Sequence, residues 1–362
     1  MSNQYLFSEK ERRQTMSKVL QYIFLAVSMI TFLGSCERRP LVDFESKVKV
    51  RVILDAKNIL NVTTGIYNES VTPSLSIPGI FRVILYDKDT KQLASQAFIT
   101  RKGLDDEGND YYEGDVYINP GSYDLVCYNF DTPNTFVKEE KEKGTIEAFT
   151  YQVSEQLYSR FASRLENLTP KIYYEPDHFF VAREDGITIP ETKEVLSVTT
   201  YARTVIDTYY VQVRVVNGKY ASNAVAMITD LAPSTRFGVN EPKYTEYAGT
   251  YFEMYHSVDQ RGRLAEQDVL CAVFNTFGKR PDHIDPMVES QLYLTFNVVT
   301  KDGQNLDMTI DMDEIFQTPE AREKHWLFID KEIVLPIPDD GAFEPSVEEW
   351  NEVVGEIEIE HK

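Results

Sequence analysis

The chain reads as all-β, arranged as two β-sandwich domains in tandem with a helical insert in the first. Three observations predict this. Lys47-Val48-Lys49-Val50-Arg51-Val52 alternates a cation with valine, the period of two that a sheet with one wet face imposes. Short strand-like runs recur between turn residues along most of the chain, the rhythm of an antiparallel sandwich. One stretch departs from it: Val153, Leu157, Phe161 and Leu165 stand four apart, which places them on one face of a helix.

The first domain is expected at 46–187. Strands at 47–54, 81–86, 96–99 and 111–118 open it. Asn119-Pro120-Gly121 then predicts a hairpin into 122–129, because Pro presets φ and Gly accepts positive φ. The mixed charges of Lys138-Glu139-Glu140-Lys141-Glu142-Lys143 read as a solvated loop. The helix is expected at about 151–167, with Glu155, Arg160, Arg164 and Glu166 off its apolar stripe and Asn167-Leu168-Thr169-Pro170 ending it. It is expected to cap an open end of the first sandwich.

Gly186, Pro190 and several charges cluster at 184–192, which places the boundary at 187/188. The second domain, 188–362, opens with a strand at 195–201. Tyr209 to Val216 alternates, and Asn217-Gly218 predicts a two-residue hairpin returning through 220–229. Strands follow at 270–277, 292–300, 306–310 and 329–335, with Lys301-Asp302-Gly303 turning one pair and short helical turns at 313–316 and 319–326. Residues 355–360 alternate Ile with Glu. Such a strand either completes its own sandwich or pairs with a partner's sheet.

The N-terminus carries the most specific signal. A basic stretch (Arg12, Arg13, Lys18) leads into an apolar run at 19–33, followed by Leu33-Gly34-Ser35-Cys36. That is the layout of a bacterial lipoprotein signal, in which small residues admit the peptidase just before the cysteine. We expect residues 1–35 to be the signal peptide, Cys36 to be the lipidated residue and 36–45 to be a lipid-anchored linker. Met16 to Ser35 forms a complete signal by itself. A transmembrane helix fits less well, because the run is short of about 20 apolar residues and contains Gln21, Ser28 and Thr31. Two or three acyl chains make a lasting membrane anchor where one binds reversibly.

The chain carries a formal charge of −21. Lys10, Arg12, Arg13 and Lys18 outweigh Glu9 and Glu11 in the signal, so the remainder carries about −23. That balance argues against nucleic acid, whose phosphates need clustered Lys and Arg. It also argues against broad electrostatic docking on anionic lipid. Cys127 and Cys271, each in an apolar strand-like run, read as buried free thiols.

The mature start, Cys36-Glu37-Arg38-Arg39-Pro40-Leu41, resembles that of a family of Bacteroidetes outer-membrane lipoproteins of unknown function. Gly114-Asp115-Val116-Tyr117-Ile118-Asn119-Pro120-Gly121-Ser122-Tyr123-Asp124-Leu125-Val126 is similar to the Pro-Gly-x-Tyr strand pair of fimbrillin-like proteins, fimbrial anchor subunits among them. The stretch from Tyr210 to Thr229 is similar to the matching region there. The resemblance implies two transthyretin-like β-sandwiches in tandem, a surface or fimbria-associated role, and no catalysis. Beyond Cys36 it implies no functional residue.

There is no Gly-x-Ser-x-Gly elbow, His-Glu-x-x-His pair, Cys-x-x-Cys, phosphate loop or dinucleotide fingerprint. No cofactor is expected. His178, His256, His283, His325 and His361 are far apart in sequence. Asp105-Asp106-Glu107-Gly108-Asn109-Asp110 is the best ion candidate, with Asp105, Asp106 and Asp110 as weak calcium ligands. It lacks the distal bidentate Glu of an EF-hand, so a solvated hairpin tip is the favoured reading. Tyr111-Tyr112, Tyr173-Tyr174 and Tyr209-Tyr210 put neighbouring rings on opposite strand faces. Exposed rings suit a glycan or protein ligand, although cross-strand packing is the commoner use. The expected function is a structural, anchoring or adhesive part of a fimbria-like assembly, bound to the outer membrane by lipid. The alternative is an outer-membrane lipoprotein that binds glycan or another nutrient through exposed aromatics.

Overall fold

The computed structural model describes residues 45–55, 77–162, 171–243, 248–258, 268–280 and 292–337. The first part of the fold holds β1 (Ser46–Asp55), β2 (Phe81–Asp87), β3 (Leu93–Ile99), β4 (Arg101–Leu104), β5 (Asp110–Ile118), β6 (Gly121–Asn129), β7 (Phe136–Lys138) and β8 (Glu147–Phe149). Helix α1 (Glu155–Ala162) and strands β9 (Lys171–Tyr174), β10 (Phe180–Ile189) and β11 (Leu196–Thr204) follow. The second part holds β12 (Asp207–Val216), β13 (Ala221–Thr229), β14 (Ser234–Arg236), β15 (Glu241–Lys243), β16 (Ala248–Val258), β17 (Asp268–Thr276), β18 (Tyr293–Thr300) and β19 (Asn305–Asp311). Helices α2 (Asp313–Gln317) and α3 (Pro319–Lys324) lead to β20 (Trp326–Val334).

The molecule is all-β in two bodies, as the alternation predicts. In the first, eight strands run in the order β3-β2-β6-β10-β11-β1-β5-β4. The sheet curls until β3 lies beside β5, where Ser95 Oγ donates to the Tyr117 carbonyl at 2.8 Å. Gly114 permits the approach, since a Cβ there would strike Ile99. Val48, Val50 and Val52 of β1 face the enclosed core with Phe81, Tyr112, Leu125 and Cys127. In the second body seven strands run β19-β18-β13-β16-β17-β12-β20, and β9 joins β16 in parallel. Its core gathers Val211, Val213, Ala226, Phe252, Phe274 and Phe296, with Phe316 and Ala321 of the short helices packed against it.

Several expectations need correction. The boundary does not fall at 187/188. Strand β10 passes through Gly186 at a bulge between Glu184 and Ile187, where glycine supplies φ +72°. Strand β11 then pairs in parallel with β1, so the first sheet extends to residue 204. The helix begins at Glu155 rather than 151, with 163–167 outside the described residues, and it does not cap the first sandwich. Leu157 and Tyr158 lie with Val153 on Ile172, Val225 and Met227, the outer face of the second sheet.

The two turn motifs also do something other than close hairpins. Strand β5 pairs with β1 and β4, whereas β6 pairs with β2 and β10. Likewise β12 pairs with β17 and β20, and β13 with β16 and β18. Asn217 does take the left-handed conformation at φ 63°, but the chain then crosses over. Only Lys301-Asp302-Gly303 behaves as expected, joining the antiparallel pair β18–β19.

The bodies are fused rather than strung together. A four-stranded sheet, β15-β14-β8-β7, takes two strands from each part of the chain. Beneath it Ile84, Tyr86, Val126, Tyr128, Phe179 and Val181 bury against Ile206, Ala232, Phe237 and Phe277. Phe237 sits edge-on to Tyr128 and Phe179, with centroids at 5.1 and 5.2 Å, a favoured aromatic geometry.

Candidate functional site

Cys36 and residues 355–360 lie outside the described residues. The acidic loop is described and is a turn. Asp105 accepts the backbone N–H of Glu107 at 3.0 Å and of Asn109 at 2.7 Å, and Asn109 Nδ2 at 2.9 Å. The Asn109 side chain, then these N–H groups, hold its carboxyl below the usual range. Among the described residues no three His, Cys, Asp or Glu side chains are placed to hold a metal ion. Asp105, Asp106 and Asp110 therefore do not converge as a calcium site, because Asp105 serves its own loop.

The solvated-loop expectation for Lys138–Lys143 holds for Lys138, Glu139, Lys141 and Glu142, which are exposed, but not for Lys143, which is buried, or Glu140, which is half-buried. The Lys141 carbonyl accepts the Leu93 N–H at 2.8 Å, and the Lys143 N–H donates to the Lys91 carbonyl at 3.0 Å. Glu140 accepts from Arg82 Nη2 at 2.8 Å and from the hydroxyl of Tyr128. The Lys143 ammonium meets Asp124 at 3.0 Å and also pairs with Asp185. Burial pushes the Asp124 carboxyl up, but Lys91 (2.8 Å), Lys143 and the Gly186 N–H (2.9 Å) outweigh it and hold it at about 2. Gly238 completes the latch from the second part of the chain. A Cβ there would overlap the Lys143 carbonyl oxygen. Sequence reasoning missed these residues because their partners lie far along the chain, and a run of mixed charges looks alike whether wet or buried.

A second latch joins 175–178 to both bodies. Glu175 accepts the Asn275 N–H at 3.0 Å, and Asn275 Nδ2 donates to the Pro176 carbonyl at 3.0 Å. Asp177 accepts the N–H groups of Asn134 and Thr135 at 2.6 and 2.8 Å. Burial pushes Glu175 up to about 7; the Asn275 N–H opposes this, while Asp177 and Glu253 add to it.

The tyrosine doublets do point to opposite faces. Tyr112 packs on Phe81 inside, while Tyr111 lies under the Arg51 guanidinium at 4.2 Å. Tyr209 stacks on Phe274 and His325 within the core, while Tyr210 turns outward to Phe328. The exposed rings mostly lean on one another. Phe98 and Phe130 meet edge-on at 5.0 Å under Arg82, and Phe136, Phe149 and Tyr151 form a tilted trio beside Lys138. His256 meets Asp268 at 3.2 Å and His325 caps α3, while His178 stands elsewhere. His283 and His361 lie outside the described residues. Cys127 and Cys271 are both buried, one in each body, and the Cys271 thiol donates to the Tyr255 carbonyl at 3.5 Å.

Among the described residues one broad face is left uncovered. On the outer side of β11, β1, β5 and β4, Lys47 meets Asp115 at 2.8 Å, and Arg51 and Arg101 meet Glu113 at 2.9 and 3.1 Å. Tyr117 and Tyr201 project from it with 53% and 57% of their surface exposed.

A family model described as "Domain of unknown function (DUF5119)" matches residues 35–253. The chain belongs to this family. It is 24% identical over 213 residues to a Bacteroides ovatus protein named "Putative fimbrium anchoring subunit Fim4B", a match over 59% of this chain and 54% of that one. The chain thus spans about half the length of that relative. A crystal structure described as "a putative adhesin" from Bacteroides ovatus covers 84% of this chain and 98% of its own, at 21% identity and a TM-score of 0.54. That likeness shows the fold. The fimbrial anchor protein Mfa2 of Porphyromonas gingivalis is a looser match, covering 80% of this chain and 91% of its own at 15% identity and a TM-score of 0.43.

Proposed function

We propose that this protein is held in the bacterial outer membrane by lipid on Cys36 and serves as a structural, anchoring or adhesive part of a fimbria-like assembly. The observation that carries the reading is the similarity, over 59% of the chain, to a relative named as a fimbrium anchoring subunit. The Leu33-Gly34-Ser35-Cys36 sequence supplies the anchor. The fused architecture suits a load-bearing part. Force entering one body reaches the other through a shared core and a mixed sheet rather than a loose linker. The partners are fimbrial subunits, and the role is non-catalytic. Glycan binding is less well supported, because exposed Tyr151 and the half-buried Phe136 and Phe149 beside it are tilted at 43° to 84° to one another and offer no shared flat platform.

The test is affinity purification of the tagged chain from detergent-solubilised envelopes, followed by mass spectrometry. Enrichment of fimbrial subunits over an unrelated lipoprotein is the expected result. Recovery of the chain alone, from cells that visibly carry fimbriae, overturns the assembly role.

A further inference from the structure

The outer face of β11-β1-β5-β4 differs from the chain as a whole. The protein carries −21, yet this face bears Lys47, Lys49, Arg51, Arg101 and Arg203 against Glu113, Asp115 and Asp55. Register explains the gathering. Odd-numbered residues of β1 pair with odd-numbered residues of β5 and β11, so Arg51 stands between Glu113 and Thr199 and Lys49 between Asp115 and Ser197. The cations therefore share one surface. Glu113 is 7% exposed beneath three of them, whereas Arg101 and Arg203 keep 68% of their side chains in solvent. Over the strands themselves positive charge is thus the outermost layer, with the exposed carboxylates Asp106 and Glu107 confined to the β4–β5 turn at one end. Tyr117 and Tyr201 stand beside it, and tyrosine with Lys and Arg is the residue set found at the headgroup level of membranes.

The chain also limits where this face can go. Strand β1 starts at Ser46, ten residues after Cys36. At no more than about 3.6 Å per residue the start of β1 stays within roughly 35 Å of that cysteine. We propose that this face is the membrane-proximal surface of the protein and rests on anionic phospholipid headgroups, orienting the tethered molecule. The proposal rests on the lipid-anchor reading above for its tether. Electrostatics of this size orients a molecule that is already held, and salt weakens it. The overall acidity then works in the same direction, since the remaining surface is repelled by the same lipid.

The experiment separates the face from the anchor. The chain from residue 37 onward carries a polyhistidine tag in place of residues 1–36 and is held on nickel-chelating vesicles of phosphatidylcholine, with or without phosphatidylglycerol. A fluorophore is placed at Thr199→Cys on the face or at Lys331→Cys on β20, with a headgroup-linked quencher in the lipid. Quenching at 199 but not at 331, dependent on phosphatidylglycerol and removed by high salt, is the expected result. The K49Q/R101Q/R203Q variant, and R101Q/R203Q if the first melts early, lowers the anionic-lipid preference by about tenfold or more. Equal quenching at the two positions, or quenching at 199 that ignores phosphatidylglycerol, overturns the proposal. Because the synthetic tether replaces acylation, a chain that lacks lipid on Cys36 in cells contradicts the anchor and leaves this result standing.

Discussion

The first sheet has two outer faces, and they could hardly differ more. Over β2, β6 and β10 the outside is apolar and covered: Ile84, Tyr86, Val126, Tyr128 and Val181 lie in the core shared with the second body. Over β1 and β5 the outside is wet, with Lys47, Lys49 and Arg51 paired to Asp115 and Glu113. The sequence carries this difference strand by strand. Phe81-Arg82-Val83-Ile84-Leu85-Tyr86 and Leu125-Val126-Cys127-Tyr128 are nearly continuous apolar runs, whereas β1 alternates from Ser46 to Val52 before ending in Ile53-Leu54. A strand apolar on both faces is one buried on both faces. Such runs mark where a second body docks, and here they identify the weld between the two.

Perturbing the covered face should have the largest effect. Phe237→Ala empties the centre of the Tyr128–Phe179–Phe237 cluster and should cost about 3–5 kcal/mol, read by denaturant unfolding. The wild type should unfold both bodies in one transition. Two separated transitions, or a cost below about 1 kcal/mol, would break the contrast.

The ionic latch at its margin comes next. Asp124 is held at about 2, below its unfolded value, so its contribution is complete above about pH 4 and fades as pH falls through 2. Asp124→Asn should cost about 2 kcal/mol at pH 7 and flatten that acid limb. An unchanged acid profile would remove the latch from the account.

Glu175 works in the opposite sense. Its carboxyl is pushed up to about 7, above the unfolded value. Stability is therefore full below about pH 4.5 and declines as pH rises through 7. Glu175→Gln should keep the Asn275 contact and stabilise the protein at pH 8 by about 1–2 kcal/mol, with little change at pH 4. Destabilisation at both pH values would contradict this.

The open face should be the most tolerant. Lys47→Gln should shift stability by less than about 0.5 kcal/mol, because exposed ion pairs contribute little. A loss comparable to that of Phe237→Ala would erase the distinction between the faces.

How much was legible in the sequence depended on the range of the interaction. Alternation in β1 and β12 gave the strand type and the inward residues, because period is local. Turn chemistry was legible as conformation but not as pairing. Asn217 takes positive φ, yet the strands on either side find partners elsewhere in the sheet, since long-range packing chooses them. Gly186 illustrates the same gap, because a glycine with charged neighbours looks like a linker and proves to be a bulge inside a strand. The charges of Lys138–Lys143 gave no sign that Lys143 alone among them is buried, since Asp124 and Asp185 approach it from other parts of the chain. The helix at 155–162 was readable from its spacing, whereas the sheet it covers was not.

The anchor remains the point from which the functional reading hangs, and one measurement reaches it directly. The mass of the mature N-terminal peptide should be determined for protein taken from the envelope fraction. Acyl chains on a peptide that begins at Cys36 are the predicted result, and their loss with release from the membrane is predicted for Cys36→Ser. A mature N-terminus elsewhere, or an unmodified Cys36 in membrane-bound protein, would contradict it.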